Sequence, residues 1–270
     1  MNDRVRIDIA DGVADVRMVR ADKMNAIDDP MFDALVEAGR SVAGNPDVRC
    51  VVLSGEGRAF CAGIDLGRLA RRADGKPADP PLDRLAERTH GVANKPQYAA
   101  WVWHEMPVPV IAAVHGVAFG GGFQIMLGAD MRYIHPETKL SIMEIRWGLV
   151  PDMAGTVLMR PLAREDIIRE LTYTGRIFSG EEAQQYGFAT RTCADPYEAA
   201  HATAREIAGH SPHAIESAKR IWNAECASAR DALILESVEQ MKLLGSPNQR
   251  ETLAAHQEKR APVFQPARSR

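Results

Sequence analysis

The hydrophobic pattern begins with two alternating segments separated by a tight turn. Residues 5–9 alternate apolar and charged side chains, and residues 14–18 repeat that alternation. A period of two is typical of half-buried strands, and the intervening Asp11-Gly12 pair favours a hairpin turn. The sequence therefore predicts an antiparallel hairpin near the start of the chain.

A helix and a buried strand are predicted to follow the hairpin. Asp28 precedes Pro30, which is typical of a helix start with an N-cap residue and a proline in the first turn. Residues 31–43 are amphipathic, and Gly44-Asn45-Pro46 ends that pattern. Residues 49–53 form a mostly apolar run, which favours a buried strand and gives the order β-β-α-β.

The most informative stretch is a glycine turn between a predicted strand and a predicted helix. Gly120–Gly122 follow the apolar run 108–114 and precede a helical pattern at 123–127. Such a turn leaves backbone N–H groups unpaired at the positive end of a helix dipole, and glycines let a ligand approach them. The turn suits an anion, or an oxygen that becomes anionic during a reaction, but a tight turn with close packing explains the same pattern. No nucleotide-binding glycine fingerprint fits this stretch.

A second small-residue turn lies at residues 58–66, after the strand predicted at 49–53. Gly63 permits an unusual backbone angle, and Asp65 is a candidate cap for the segment that follows. Taken alone, the stretch is better explained as an ordinary turn.

Two carboxylates within an apolar segment are candidates for acid–base chemistry. Glu144 and Asp152 lie among the apolar residues of segment 140–155. Carboxylates are rarely buried without partners, and desolvation raises their pKa towards the range that is useful for proton transfer. The alternative is that both are surface caps beside a hydrophobic segment.

The remaining segments carry less chemistry. Arg68, Arg71 and Arg72 lie at helical spacing, which favours a solvated face over a phosphate contact, and residues 75–81 are typical of a mobile loop. We divide the chain into a core of β-β-α units at 1–195 and a helical region at 196–270.

Two helix starts stand out in that helical region. One helix is predicted to start at Ser211-Pro212 and to run to about residue 227, and Ser246–Gln249 reads as a capping box for a helix that runs to about residue 260. Residues 262–270 are expected to be loose.

Composition excludes several classes of function. The 270 residues are 46% hydrophobic with a formal net charge of −3, which fits one globular protein with a sizeable core and gives no nucleic-acid footprint. The four cysteines are scattered without a Cys-x-x-Cys pair, so we expect no metal site and no disulfide framework. Without a signal-peptide core or an apolar run of ~18 residues, we expect a cytoplasmic protein with no membrane or nucleic-acid partner.

Four stretches taken together resemble the crotonase family, also called the enoyl-CoA hydratase/isomerase family. Residues 58–66 resemble its first oxyanion segment and residues 115–130 its second. Residues 171–187 resemble its Leu-x-x-x-Gly…Ala-x-x-x-Gly-Phe segment, and residues 258–264 also fit. The resemblance covers about residues 5 to 264 in one order.

The resemblance implies an α/β fold, built as a spiral of repeated β-β-α units with a C-terminal helical region that covers coenzyme A and forms trimers. It implies an acyl-CoA thioester as substrate and a homotrimer or a dimer of trimers as the assembly. Coenzyme A enters as part of the substrate, so no separate cofactor is expected.

The resemblance also implies which residues form the site. The backbone N–H groups of Ile64 and Gly121 are implied to form an oxyanion hole that holds the thioester oxygen as it becomes an enolate, each donor being worth about 3 kcal/mol of barrier. Contacts with substrate or coenzyme A are implied for Lys23, Met24, Ala26, Ala62, Gly63, Asp65, Gly120, Trp147 and Phe264.

The catalytic positions match the family only in part. Hydratases of the family usually carry two glutamates; Glu144 matches one of them, and Gln124 occupies the position of the other. A neutral amide cannot take a proton at pH 7, although it can orient a water. Asp152 matches the second acid of dienoyl-CoA isomerases.

We therefore expect double-bond isomerisation of an enoyl-CoA to be favoured over hydration, because moving a double bond needs no activated water. Glu144 is predicted to remove and return the proton, Asp152 to act as a second acid/base or to tune Glu144, and Gln124 to bind water or substrate. Two alternatives stay open: a non-catalytic acyl-CoA-binding protein that lost an acid at position 124, and a thioester hydrolase or dehalogenase on the same fold.

Overall fold

The computed structural model describes residues 3–74 and 85–267, and its main feature is a six-stranded sheet. The strands are β1 (Val5–Ala10), β2 (Val13–Met18), β3 (Cys50–Gly55), β4 (Val110–Val114), β5 (Val117–Phe119), β6 (Met131–Ile134), β7 (Lys139–Ser141) and β8 (Arg191–Thr192). The large sheet has the order β1-β2-β3-β4-β6-β8, and β5 pairs with β7 in a second, smaller sheet. Only the β1–β2 pair is antiparallel, so the connections between the other strands cross over.

Helices supply these crossovers and most of the C-terminal region. They are α1 (Asp29–Gly44), α2 (Leu66–Ala73), α3 (Lys95–His104), α4 (Gly121–Leu127), α5 (Gly155–Met159), α6 (Glu165–Thr174), α7 (Gly180–Tyr186), α8 (Pro196–Ala208), α9 (Pro212–Asn223), α10 (Ala229–Leu243) and α11 (Pro247–Glu258). Two short 3-10 turns, Ala21–Lys23 and Glu144–Trp147, lie in the loops.

The chain winds as a spiral in which each turn adds a strand to the large sheet, a strand or bridge to a second layer, and one or more helices. After β2 comes the bridge between Ile27 and Ile64, and after β3 the bridge between Cys61 and Ala118. Then β4, β5 and α4 form one turn, and β6, β7 and the helices after them form the next. This order confirms the predicted α/β fold of repeated β-β-α units.

Local sequence signals explain the first elements. Ala10 lies opposite Val13 in the hairpin, and Asp11 and Gly12 have φ values of 51° and 79°, as a tight turn with two left-handed residues requires. The side chain of Asp28 accepts a hydrogen bond of 2.9 Å from the N–H of Met31, which caps α1 as predicted.

Two hydrophobic cores cover the two faces of the large sheet. Alternate residues of β3 point into different cores, with Leu53 in the larger and Val52 in the smaller. The larger core fills the space between the sheet and the second layer, and it contains the buried Trp103. The smaller core lies under α8, which presents Ala200 and Ala204 to the sheet. The first helix after residue 195 is therefore packed directly on the β-β-α core.

A buried lysine attaches α9 to the core. The Nζ of Lys219 donates hydrogen bonds to the Asp130 carboxylate at 2.7 Å and to the Val108 carbonyl at 3.0 Å. A buried charge needs such partners, since desolvation without them is costly. The helical region thus begins with two helices that are fixed to the sheet and its loops.

Two predicted features of the C-terminal helices are only partly correct. The helix that starts at Ser211-Pro212 ends at Asn223, short of residue 227. Ser246 caps α11 by accepting from the N–H of Gln249, but the Gln249 side chain accepts from Gly245 rather than from Ser246. The capping box is therefore not reciprocal.

Residues 263–265 are held against α11 by hydrogen bonds, which corrects the expectation of a loose end for this part of the segment 262–270; residues 268–270 lie outside the described residues. Asn248 of α11 holds Gln265 by two hydrogen bonds of 2.8 and 2.9 Å, and Glu251 accepts from the N–H of Val263 at 2.7 Å. Phe264 is buried between them. These contacts are long-range, and the local composition that favoured disorder does not contain them.

Arg68 does not lie on a solvated face. It is buried, its Nε donates to the Asp29 carboxylate at 2.5 Å, and its guanidinium lies over the ring of Phe32. The side chain of Arg72 and the loop predicted at 75–81 lie outside the described residues. Among residues 3–74 and 85–267, no helix has both the length and the apolar character needed to span a membrane.

Candidate active site

The first glycine-containing turn is bound to the segment that follows the N-terminal hairpin. The N–H of Ala62 donates to the Met24 carbonyl at 2.9 Å, and the N–H of Ile27 donates to the Gly63 carbonyl at 2.8 Å. The N–H of Asp65 then donates to the Ile27 carbonyl at 3.0 Å. Residues 24–27 and 61–65 therefore form one ladder, which brings Met24, Ala26, Ala62 and Gly63 together; their contact with substrate or coenzyme A stays a prediction.

Asn25 fixes this ladder from inside and was missed as a site residue. It is fully buried, and its Nδ2 donates to the carbonyls of Glu56, Ala59 and Phe60 at 3.0, 2.9 and 3.2 Å. Its φ of 55° lies in the left-handed region, which asparagine tolerates better than most residues. An asparagine in a tight turn was the available signal, but its partners lie about thirty positions later in the sequence.

The second glycine turn lies directly against the first. Gly63 has a φ of 87°, and a Cβ placed on it would lie 2.6 Å from the Phe119 carbonyl oxygen and 3.8 Å from the Gly121 nitrogen. Gly120 has a φ of 49°, so the chain reverses there and α4 starts at Gly121. Only glycine fits a backbone approach this close at a positive φ.

The N–H groups of Ile64 and Gly121 donate to none of the described residues. Gly63 is bonded through its carbonyl to Ile27, while Gly120 donates to the Ser141 carbonyl at 3.0 Å. The two unpaired donors therefore lie in turns that contact each other. A shared carbonyl oxygen would satisfy both, because unpaired amides at a helix start suit an oxygen with developing negative charge.

Cys61 lies against the start of α4, and its thiol is unreactive. A Cβ on Gly122 would lie 2.8 Å from the Cys61 Cβ, so the two turns are also in contact here. The Cys61 thiol donates to the Asn25 carbonyl, with sulfur and oxygen 3.1 Å apart. Burial raises the pKa of Cys61 to about 12, so the thiol is neutral at pH 7 and is not a nucleophile.

Glu144 brings a carboxylate to the second turn. It starts the 3-10 turn after β7, is only 9% exposed, and its Oε1 would lie 3.2 Å from a Cβ on Gly120. Its Oε2 is buried and has no hydrogen-bond partner among the described residues. Glu144 is thus not a surface cap: it places an acid next to the residue that precedes the free Gly121 N–H.

Gln124 lies behind Glu144 and is held at both ends of its amide. Its Nε2 donates to Glu144 Oε1 at 2.6 Å, while its Oε1 accepts from the N–H groups of Met153 and Gly155 at 2.8 and 2.9 Å. The amide oxygen of Gln124 therefore has no lone pair left with which to bind water, as the prediction would require. Water or substrate binding through the second Nε2 hydrogen stays a prediction.

The environment of Glu144 raises the pKa of its carboxyl group. Burial is the largest cause that raises the pKa of Glu144, and the charge of Asp152 raises it further, whereas the hydrogen bond from Gln124 lowers it. The net pKa lies above the ordinary value of 4.5. Asp152 itself is exposed, so of the two predicted carboxylates only Glu144 has the desolvated environment of a tuned acid/base.

Asp65 has a structural role at the edge of this site. It accepts from Arg20 at 2.8 Å and from the N–H of Gly67 at 2.9 Å, which caps α2 as the sequence indicated. Burial opposes the ionised form, but the hydrogen bonds from Arg20, Arg68 and Gly67 outweigh it and hold the pKa of Asp65 below its ordinary value.

The other predicted contacts lie further out. Lys23 is exposed on the 3-10 turn before Met24, and Trp147 is 47% exposed at the end of the turn that Glu144 begins. Phe264 lies on the tail that α11 holds through Asn248 and Glu251. Two open surface cavities of about 390 and 420 Å³ lie at the start of α11 and on α7, and neither is lined by residues of the two turns.

Metal-assisted chemistry has no candidate ligand set in the part of the chain that the structure describes: no three His, Cys, Asp or Glu residues cluster there. The groups that the structure brings to the two turns are two unpaired backbone donors, one buried carboxyl group and the amide that binds it.

Comparison with known proteins gives a consistent result. The family model described as enoyl-CoA hydratase/isomerase matches residues 8–267. The mitochondrial Delta(3,5)-Delta(2,4)-dienoyl-CoA isomerase of Mus musculus is 32% identical over 212 residues, which are 77% of this chain and 64% of that protein. The chain thus spans less than two thirds of the length of that relative.

Two further matches cover nearly the whole chain. Enoyl-CoA hydratase EchA19 of Mycobacterium tuberculosis is 30% identical over 253 residues, covering 93% of this chain and 92% of that protein. The crystal structure of a Streptomyces coelicolor A3(2) protein superposes with a TM-score of 0.86 at 30% identity, covering 97% of this chain and 94% of that one.

Proposed function

The chain belongs to the crotonase, or enoyl-CoA hydratase/isomerase, family, and from this premise we propose that it is an enzyme that moves a double bond in an enoyl-CoA thioester. Isomerisation is the finer proposal, and hydration is its rival within the family. The relatives include a protein named a dienoyl-CoA isomerase and one named an enoyl-CoA hydratase, at nearly equal identity.

The proposed reaction uses one acid/base and two backbone donors. The ionised Glu144 takes a proton from the carbon next to the thioester carbonyl of a 3-enoyl-CoA. The electrons of the broken C–H bond form the dienolate, whose oxygen carries the negative charge between the N–H groups of Ile64 and Gly121. Glu144 then returns the proton to the far end of the dienolate, and the 2-enoyl-CoA leaves. Atoms and electrons balance without a second reactant.

One observation carries this proposal: the Glu144 carboxyl lies over Gly120, beside the turn that exposes the unpaired N–H of Gly121. A carboxyl group and an oxyanion donor this close together can act on one thioester, the first on the carbon next to the carbonyl and the second on the carbonyl oxygen. Hydration needs a second group to activate water, and the amide of Gln124 has no basic atom free for that task.

A dienoyl-CoA substrate is supported by one further feature. Asp152 is close enough to influence the pKa of Glu144, and its loop is hydrogen-bonded to Gln124 through Met153 and Gly155. Two acids near one extended conjugated chain could move a proton between more distant carbons. A dienoyl-CoA, which has a longer conjugated chain, is therefore a second candidate substrate.

The test offers the protein 2-enoyl-, 3-enoyl- and dienoyl-CoA separately and follows absorbance together with the products. We expect turnover of a 3-enoyl or dienoyl thioester that exceeds hydration of the 2-enoyl thioester. Glu144→Gln should reduce that turnover by about 10²- to 10⁴-fold, the range typical of a general acid/base. Full activity in this variant would remove Glu144 from the mechanism.

The two alternative functions have distinct signatures in the same assay. Tight binding of acyl-CoA in calorimetry, with no turnover of any thioester, would favour a non-catalytic binding protein. Release of free coenzyme A thiol would favour a thioester hydrolase. The neutral, buried Cys61 offers no nucleophile for the latter reaction.

We also propose that the chain assembles as a homotrimer or a dimer of trimers through its C-terminal helices. α10 exposes Leu233 and Met241, with 61% and 74% of their surfaces accessible, and Trp222 of α9 is 86% exposed. Large apolar side chains concentrated on neighbouring helices are typical of a surface that a partner covers.

A further inference from the structure

Gln124 occupies a place that the proposed reaction does not yet use. It is 1% exposed, and its side chain makes three hydrogen bonds, to Glu144, Met153 and Gly155. We propose that Gln124 is a positioning residue that holds the Glu144 carboxyl with Oε2 free for proton transfer and ties it to the loop after Asp152. This inference rests on the proposed role of Glu144 as the acid/base.

The first step concerns the direction of the amide. The N–H groups of Met153 and Gly155 are donors, so the Gln124 atom that faces both must be the oxygen. The NH₂ group then necessarily faces Glu144. The orientation is set by the loop backbone, which leaves the amide no equivalent flipped state.

The second step concerns the two carboxyl oxygens of Glu144. Oε1 accepts the 2.6 Å bond from Gln124 Nε2, whereas Oε2 has no hydrogen-bond partner among the described residues. Nε2 cannot accept a proton, so an amide at this position favours proton exchange through Oε2. A carboxyl group that is held through one oxygen also loses little orientational freedom on reaching the transition state.

The third step concerns the loop. Met153 packs against the start of α4, where its Sδ would lie 2.8 Å from a Cβ on Gly121. Gly155 is equally tight, since a Cβ there would lie 2.6 Å from Gln124 Oε1. The amide of one residue thus joins the acid, the loop that follows Asp152, and the helix start that carries a proposed oxyanion donor.

Two variants separate the two halves of this role. Gln124→Glu keeps an acceptor for the loop N–H groups but replaces the donor to Glu144 by a second carboxyl group. Gln124→Met has a similar size and removes both interactions. Gln185→Met on the exposed face of α7 is the matched control.

The readout is kcat with the thioester that the wild type turns over, as a function of pH, together with the Glu144 carboxyl titration. The latter is followed by NMR of protein labelled with ¹³C at the glutamate carboxyl, and the Glu144 resonance is the one absent from Glu144→Gln. In both Gln124 variants we expect kcat to fall about 10- to 100-fold with KM changed less than about twofold. The acid limb of the pH profile and the Glu144 titration should both move to higher pH.

The physical reason for that direction differs between the variants. Gln124→Met removes a hydrogen bond that favours the ionised carboxylate, and Gln124→Glu adds a like charge that shares one proton with it. Only Gln124→Met should lower the melting temperature markedly, because it alone leaves the N–H groups of Met153 and Gly155 without an acceptor. Gln185→Met should change none of these quantities.

An unchanged Glu144 titration in both variants would overturn the positioning role, whatever happens to stability. A loss of stability and activity without a shift of the acid limb would also overturn it, because that is the effect of a merely structural residue. A wild type that turns over none of the thioesters would contradict the proposed function instead. The NMR titration still decides the role of Gln124 in that case, since it needs no turnover.

Discussion

Gly63 lies so close beneath Phe119 that a Cβ placed on it would be 2.6 Å from the Phe119 carbonyl oxygen. The two turns that carry the proposed oxyanion donors are therefore in direct backbone contact, and their spacing depends on the absence of one methyl group.

Gly63→Ala should separate the two donors. The added Cβ must push the Phe119 carbonyl away, and the φ of 87° is strained for alanine. We expect kcat to fall about 100-fold, because a shift of about 1 Å in a catalytic group has that effect. Gly44→Ala is the matched control, since a Cβ at Gly44 meets nothing within 4 Å. Comparable activities of the two variants, measured with the same thioester, would contradict convergence of the two turns.

Asp152→Asn should distinguish a tuning role from a catalytic one. The negative charge of Asp152 adds to the burial that raises the pKa of Glu144, so its removal lowers that pKa. Glu144 is active as the ionised base, and the acid limb of the kcat profile should therefore move to lower pH with little loss at the optimum.

If Asp152 is instead a second acid/base, the maximum of kcat in Asp152→Asn falls about 10²- to 10⁴-fold. Glu198→Gln, which removes an exposed charge from α8, should leave the profile unchanged.

Asn25→Ala should destabilise the protein. Its Nδ2 is bonded to three backbone carbonyls in a fully buried place, and alanine would leave them without this donor. We expect the free energy of unfolding to fall by about 3 kcal/mol, the upper end for unsatisfied buried groups. Urea unfolding measures this change, and Asn45→Ala, which loses only an exposed local bond, should cost less than about 1 kcal/mol.

Asp65 should contribute to stability only when it is ionised. Its pKa is lower in the folded protein than the ordinary value of 3.8, so the folded state favours the charged form. That contribution is complete above the unfolded value and is lost as the pH falls below 3.8 through the folded pKa. The unfolding free energy of Asp65→Asn should therefore depend less steeply on pH in that range. The exposed Asp22→Asn serves as its control, and identical slopes would contradict the assignment.

The proposed assembly can be broken on α10. Replacing Leu233 and Met241 by aspartate puts charge on the exposed apolar surface, which a subunit interface does not tolerate. Light scattering should then report a single-chain mass in place of three or six chains. Val92→Asp, which charges an equally exposed residue of the loop before α3, should keep the assembly of the wild type.

The elements that the sequence predicts well are those with local causes. The Asp11-Gly12 turn and the Asp28 cap each depend on residues within a few positions, and both form as expected. The glycine turn before α4 is similar, because a strand, three glycines and a helix pattern lie in one continuous stretch.

Features that depend on distant partners could not be predicted in this way. Arg68 has the spacing of a surface residue, yet Asp29 and Phe32 cover it, and no local pattern encodes that contact. The orientation of Gln124 likewise depends on amides that lie 29 and 31 positions later in the chain. The resemblance identified the position of Gln124, but only the three-dimensional contacts indicate which of its atoms faces Glu144.

Both proposed oxyanion donors are main-chain N–H groups, and this has an evolutionary consequence. No substitution at position 64 other than proline deletes its N–H, so the side chain of Ile64 can vary while the donor persists. Natural variation can therefore change the side chain at this position while the proposed donor is kept. The acid at 144 has no such freedom, because there the proposed proton-transfer group is the side chain itself, and an exchange for any residue without a carboxyl group removes it.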